Sequence, residues 1–188
     1  MRAHKGPRKI PDTTLLALEK AALQYLERYA SSAANLRRVL MRRVDQAARA
    51  GMIERVDGVA RVGAVIDTLV ARRLLDDKAY AEGRARSLSR QGRSKQVIAR
   101  RLQVKGVAGE ALDGALAVLA EEGHSDLAGA LKLARKRRLG PFRPKAERPE
   151  RRARDMATLG RAGFSFEIAR KVVEAECPEA IEEEIAGQ

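Results

Sequence analysis

The 188-residue chain has no tryptophan, three tyrosines, three phenylalanines, one cysteine and two histidines. The single thiol, Cys177, excludes an internal disulfide, and His4 and His124 are too few for a conventional zinc site. With aromatics at 3%, a core has to come from Leu, Val, Ile and Ala, which favours packed helices over a sandwich with aromatic centres. No apolar run is long enough to span a bilayer. Arg2, Lys5, Arg8 and Lys9 open the chain with no apolar segment behind them, so no signal peptide is expected and a cytoplasmic location is. Also missing are a Gly-x-x-x-x-Gly-Lys loop, a Gly-x-Gly-x-x-Gly fingerprint, a His-Glu-x-x-His and a Cys-x-x-Cys. An ATPase or nuclease therefore has no residues to rest on, and neither an enzyme nor a cofactor or metal is expected.

What is present is positive charge. The formal net charge of +13 points to a polyanionic partner or an acidic protein surface, although an Arg-rich chain from a GC-rich genome would show the same excess. Apolar residues make up 45%, enough for a core, and the abundant Arg, Ala, Leu, Glu and Lys are good helix formers.

The most organised stretch runs from Leu74 to Val107. Asp76 and Asp77 stand where a helix N-cap and first turn favour carboxylates. Ala79, Tyr80, Gly83, Arg84, Ser87 and Leu88 then recur at helical spacing and predict an inward stripe. Gln91-Gly92-Arg93 breaks the pattern, Ser94 can cap a second helix with Val97, Ile98, Leu102 and Val104, and Gly106 suits a left-handed stop. Arg90, Arg93, Lys95, Arg100, Arg101 and Lys105 lie along it with no acid between them. The pattern is a helical hairpin, apolar inside and cationic outside.

Elsewhere, residues 1–13 read as a basic flexible tail. Asp12 or Thr13 can cap a first helix with Leu15, Leu18, Ala22, Tyr25 and Tyr29 on one face. Ser32 can cap a second, bearing Leu36, Val39 and Leu40 opposite Arg37, Arg38, Arg42 and Arg43. The stretch 45–61 reads as a helix extension and then a loop, with a third helix from Val62. The scheme repeats: Ser32, Leu36, Leu40 and Arg43 align with Ser94, Ile98, Leu102 and Lys105, and Leu102, Gly106 and Val107 with Leu159, Gly163 and Phe164. Third helices follow at Glu110–Leu119 and Phe166–Glu176, the latter capped by Ser165 and stapled by Phe164 against Ala169. The reading is three tandem three-helix repeats, 14–75, 76–123 and 124–188, the last with a basic Pro-containing loop from Gly140 to Pro149 and an acidic C-terminal tail.

LLDDKAYA, the Arg-Gln-Gly-Arg turn, IARRLQVKGV and RAGFSFEIARKVV together resemble the RecX family of bacterial recombinase regulators, in the same order and from about Leu18 to Val173. Within the shared motif Asp76, Asp77, Tyr80, Gly106, Gly163 and Phe164 carry structural roles. The resemblance implies an all-α, elongated and curved array that binds the RecA filament in its groove. It also implies suppression of ATP hydrolysis and strand exchange, net filament disassembly, and DNA binding. The long 45–61 link and the Arg- and Pro-rich loop depart from the family.

The candidate contacts for RecA or DNA are Arg37, Arg38 and Arg42 in the first unit and Arg90, Arg93, Lys95, Arg100, Arg101 and Lys105 in the second. Lys132, Arg135, Lys136, Arg137, Arg138 and Arg161 complete the set in the third. The densest basic region, Lys132 to Arg154, is followed by an acidic one, Glu174 to Glu184, that could screen it or simply end a helix in solvent. Asp76 and Asp77 are adjacent and cannot face one another as an acid-base pair, so capping is their expected role, as core packing is for Tyr25 and Tyr80. The rival reading is a DNA-binding protein with no recombinase involved; its Arg and Lys suit phosphates better than bases, so binding would be non-specific and salt-sensitive. No membrane partner is expected, and the lack of a heptad seam favours a monomer.

Overall fold

The structure, a computed structural model, describes residues 10–187; most of the expected basic tail, with His4, lies outside them. Among the described residues there are ten α-helices, two 3-10 turns and no strand. The chain parts into two compact units, one up to Tyr80 and one from Ala81 onward.

The first unit holds α1 (Leu15–Leu26), α2 (Ala33–Arg49), α3 (Arg55–Ala71) and the first turn of α4 (Asp77–Arg90). Thr14, one or two residues beyond the expected cap, opens α1 with its Oγ1 accepting the Ala17 N–H at 3.3 Å, while Asp12 Oδ1 accepts the Thr14 N–H at 2.8 Å. Ser32 caps α2 through the Asn35 N–H at 3.1 Å, a bond that satisfies one of the orphan amides of the first turn. Leu36, Leu40, Val44 and Ala47 recur at helical spacing and are fully buried, which leaves Arg37, Arg38 and Arg42 in solvent. They pack on Leu18 and Ala22 of α1 and on Val62, Val65, Ile66 and Leu69 of α3. Each buried leucine or isoleucine contributes about 1.5–3 kcal/mol relative to exposure.

Two expectations fail here. Leu15 and Tyr29 are more than half exposed, because α1 stops at Leu26 and its inward face is Leu18 and Ala22. The loop expected before Val62 is helical from Arg55, and Gly58 belongs to that helix. A Cβ at Gly58 would overlap Val44 Cγ1 and lie 3.2 Å from Val44 Cβ, so this glycine lets α3 close onto α2.

The second unit holds the rest of α4 with α5 (Lys95–Val104), α6 (Gly109–Glu121), α7 (Asp126–Arg137), α8 (Arg148–Arg161), α9 (Phe166–Glu174) and α10 (Pro178–Ala186). The inward stripe of α4 is Ala81, Ala85 and Leu88, offset from the expected one; Ala79, Gly83 and Arg84 face solvent. Ile98 and Leu102 of α5 are fully buried, and Leu112, Ala115 and Leu119 of α6 nearly so. A contiguous core joins Leu127, Leu131 and Ala134 of α7, Leu159 of α8, Phe164, Ala169, Val172 and Val173 around α9, and Ile181 of α10. The acidic segment is thus in part a helix: α10 packs on α7 through Ile181.

The Pro-containing loop contains two 3-10 turns, Gly140–Phe142 and Lys145–Glu147, and ends where α8 begins at Arg148. Its anchor is Asp155, buried at 1% exposure, whose Oδ2 accepts the Gly140 N–H at 2.9 Å and Arg143 Nε at 2.8 Å; Oδ1 accepts Arg143 Nη2 at 3.1 Å. This bidentate bond, with the carboxylate charge behind it, raises the Arg143 pKa above its ordinary value. Arg148 adds bonds to the carbonyls of Pro141, Arg143 and Glu176 at 2.8–3.1 Å.

Candidate functional site

Two glycine contacts shape the cationic surface of the second unit. Gly92, at φ +69°, lies in the turn between α4 and α5; a Cβ there would stand 3.1 Å from the Gly129 carbonyl oxygen and 3.4 Å from the Leu133 nitrogen. The turn therefore rests on the backbone of α7, an approach only glycine permits in a left-handed conformation. Gly163, at φ +89°, does the same between α8 and α9, where a Cβ would come within 2.5 Å of Ser94 Oγ and Val97 Cγ2. Ser94 Oγ accepts the Val97 N–H at 3.3 Å and donates to the Ala162 carbonyl at 3.3 Å, so one hydroxyl caps α5 and holds the end of α8.

Between these contacts lies a cavity of about 270 Å³ lined by Gln91 and Arg93 from the turn, Leu133, Lys136 and Arg137 from α7, and Thr158, Arg161 and Ala162 from α8. Four cations converge on it, and no lining residue is a carboxylate. Arg93 Nε is buried without a hydrogen-bond partner, and Arg161 Nη2 donates to Thr158 Oγ1 at 3.2 Å. A concentration of like charge is unfavourable by itself and is relieved by an anion. Such a lining suits a phosphate or a carboxylate.

The other candidate cations are dispersed. Arg37, Arg38 and Arg42 are exposed on α2 of the first unit, where Arg38 Nε donates to the Ala34 carbonyl at 3.4 Å. Arg100 and Arg101 are exposed on α5, Lys95 opens that helix and Lys105 closes it. Arg90 and Lys132 line a second cavity with Arg86, Ser89, Glu122 and His124. Arg135 is tied to Glu182 of α10 and sits over the Phe142 ring at 5.5 Å, so it is withdrawn from the groove that its neighbours line. Arg138, at φ +53°, is the left-handed residue that ends α7. Arg152 pairs with Glu174 and Lys171 with Glu184, so the acidic C-terminal region neutralises cations of its own unit.

Asp76 Oδ1 accepts the Ala79 N–H at 2.9 Å within α4, whereas Asp77 Oδ1 accepts the Ala33 N–H of α2 at 2.7 Å. Tyr80 is half-buried, Gly106 has φ +82°, and Phe164 is buried in the core around α9. Tyr25 packs against the first unit's core and accepts from Asn35 Nδ2 at 3.2 Å. Sequence reasoning missed Asp126, whose Oδ1 accepts the Lys95 N–H at 2.7 Å; its likeness to Asp77, an acid opening the next helix pair, was the available signal. It also missed Gln91 and Thr158, which carry no charge to mark them. Among the described residues no three His, Cys, Asp or Glu side chains gather as a metal site, and no helix is long and apolar enough to cross a membrane.

Residues 76–116, α4 through most of α6, match the family described as RecX, second three-helix domain. The regulatory protein RecX of Myxococcus xanthus is 46% identical over 175 residues, covering 93% of this chain and 91% of the relative. That of Agrobacterium fabrum is 43% identical over 106 residues, covering 56% and 55%. A crystal structure of regulatory protein RecX shares the fold, with a TM-score of 0.55 at 20% identity over 86% of this chain and 74% of the other. The 46% identity over nearly the full length of this chain and of the Myxococcus relative, together with the matched helical domain, shows that the chain belongs to the RecX family.

Proposed function

We propose that this chain is a non-enzymatic, cytoplasmic regulator that binds RecA filaments on DNA and restrains their ATP hydrolysis, strand exchange and extension in DNA repair and recombination. The observation that carries the reading is the groove of Arg93, Lys136, Arg137 and Arg161, which has no carboxylate in its lining. Such a groove suits DNA phosphates or the acidic surface of a protein filament, and its field speeds encounter more than it sets affinity. The three-helix repeats at 14–75, 76–123 and 124–188 are the units that would follow an extended partner, with the chain acting as a monomer. The exposed arginines of α2 and α5 would serve as further contacts.

The test is the single-strand-dependent ATPase of RecA, titrated with substoichiometric amounts of this protein. Strong suppression is expected, and changing Arg93, Lys136, Arg137 and Arg161 together to alanine should raise the amount required by about tenfold or more, as loss of several charge-assisted bonds implies. Suppression only at amounts that saturate the DNA would overturn this reading and favour direct, non-specific DNA binding, which the same cationic groove also supports.

A further inference from the structure

The second cavity, about 260 Å³, lies between α4, the end of α6 and the start of α7. Arg86, Arg90 and Lys132 bring three cations to it against one carboxylate, Glu122. That carboxylate is already committed, since Glu122 Oε1 accepts Arg86 Nε at 2.7 Å, and Glu82 holds the same guanidinium at 3.5 Å. Arg86 is thereby fixed in place, whereas Arg90 and Lys132 form no ion pair among the described residues, and the lining keeps two positive charges in excess. His124 completes the wall: its Nδ1 is 2.9 Å from Ser89 Oγ, and its Nε2 is buried with no hydrogen-bond partner. A drug-sized molecule needs more room, but one anionic group with what it is attached to does not.

We propose that this cavity binds a phosphate monoester, the terminal phosphate of a mononucleotide or of a DNA 5′ end. A monoester carries close to two negative charges near neutral pH and matches the excess, whereas a backbone diester carries one and leaves a cation unmatched. Arg90 and Lys132 supply the charge, while Arg86, with its Nε and Nη2 held by Glu122 and Glu82, can add only a remaining N–H.

His124 gives the site a pH dependence. Burial first, then the charges of Lys95 and Lys132, hold its pKa below the ordinary 6.5, with Asp126 alone pulling upward; Arg86, Arg90 and Glu122 line the same cavity. The imidazole is therefore neutral at pH 7 in the free protein. An anion beside it favours the imidazolium and raises that pKa, so binding takes up a proton and tightens as pH falls through the window between the free and bound values. Sulfate, a dianion throughout that window, isolates the effect from titration of phosphate itself.

The experiment is isothermal titration of the intact chain with adenosine 5′-monophosphate and with sulfate, and anisotropy of 5′-phosphorylated and 5′-hydroxyl oligothymidylate. Saturable binding of the monophosphate is expected, tighter in this cavity than in the four-cation groove. It should weaken about tenfold or more in Arg90→Gln/Lys132→Gln, both exposed positions, and stay unchanged in Lys136→Gln/Arg137→Gln. Sulfate should bind more tightly as pH falls below neutrality in the native chain and show no such trend in His124→Gln. A preference for the 5′-phosphorylated strand that the mononucleotide abolishes would identify a DNA end as the source; equal binding of the two strands beside saturable mononucleotide binding would identify a free nucleotide. Absence of saturable binding, or equal loss in the groove variant, overturns the assignment, and neither result touches the ATPase reading above.

Discussion

Asp77 opens α4, yet its carboxylate caps α2, where Ser32 already covers the Asn35 amide and Asp77 Oδ1 takes the Ala33 amide at 2.7 Å. Asp126 opens α7 and repeats the arrangement on α5, taking the Lys95 amide while Ser94 takes that of Val97. Two of the orphan N–H groups at each helix start are thus satisfied, one locally and one from a later helix, with a negative charge at the positive end of the helix dipole. Asp77→Ala or Asp126→Ala should each lower stability by about 1–2 kcal/mol, and Asn, which keeps an acceptor oxygen but not the charge, by less. Urea unfolding followed by circular dichroism would check this; an unchanged midpoint in both alanine variants would show the long-range caps to be idle. The sequence carries the local half of this device openly, because a serine cap reaches only to the next turn. The aspartates' partners lie 44 and 31 residues away, and no spacing rule names them.

At the scale of elements, glycines decide how closely helices approach. Gly58 sits within α3 against Val44, a fully buried β-branched side chain with little rotamer freedom. Alanine is the better helix former by about 1 kcal/mol, but its methyl has no space here. Gly58→Ala should therefore destabilise the chain by about 1–2 kcal/mol net through overpacking, and Val44→Ala in the same background should recover part of that loss despite its own cavity. A thermal midpoint that rises on Gly58→Ala would disprove the contact. Glycine usually marks turns, and with Gly51 and Gly58 in it the stretch 45–61 reads in part as a loop. Only Gly51 plays that part, at φ +69° after the end of α2.

For the whole molecule, the net charge of +13 is less informative than which cations remain available. Arg135, Arg143, Arg152 and Lys171 are engaged by Glu182, Asp155, Glu174 and Glu184, and Arg148 by backbone carbonyls, so the densest basic stretch is partly structural. Most of these pairs are exposed and add little stability, but they remove cations from the surface a partner would meet. If the groove carries DNA contact, the logarithm of affinity for a single strand should fall linearly with that of salt concentration. Replacing Arg93, Lys136, Arg137 and Arg161 should reduce the slope by about 3, at about 0.7 per phosphate contact. Anisotropy on oligothymidylate across a salt series measures it; an unchanged slope with lower affinity would place the DNA elsewhere.

What the sequence determined by itself is what depends on near neighbours along the chain. The helical class, the serine caps at Ser32, Ser94 and Ser165, the left-handed stops at Gly106 and Gly163, and the motif shared with the RecX family were all legible, because each is set within a turn or two of backbone. The inward stripe of α4, the helical course of residues 55–61 and the withdrawal of Arg135 were not. Neither was the gathering of Arg93 with Lys136, Arg137 and Arg161, residues drawn from one turn and two other helices. A long cationic side chain looks the same in sequence whether it faces a carboxylate, a carbonyl or solvent. Packing alone settles which it meets, by fixing which backbones approach closely enough for Gly92 and Gly163 to be required.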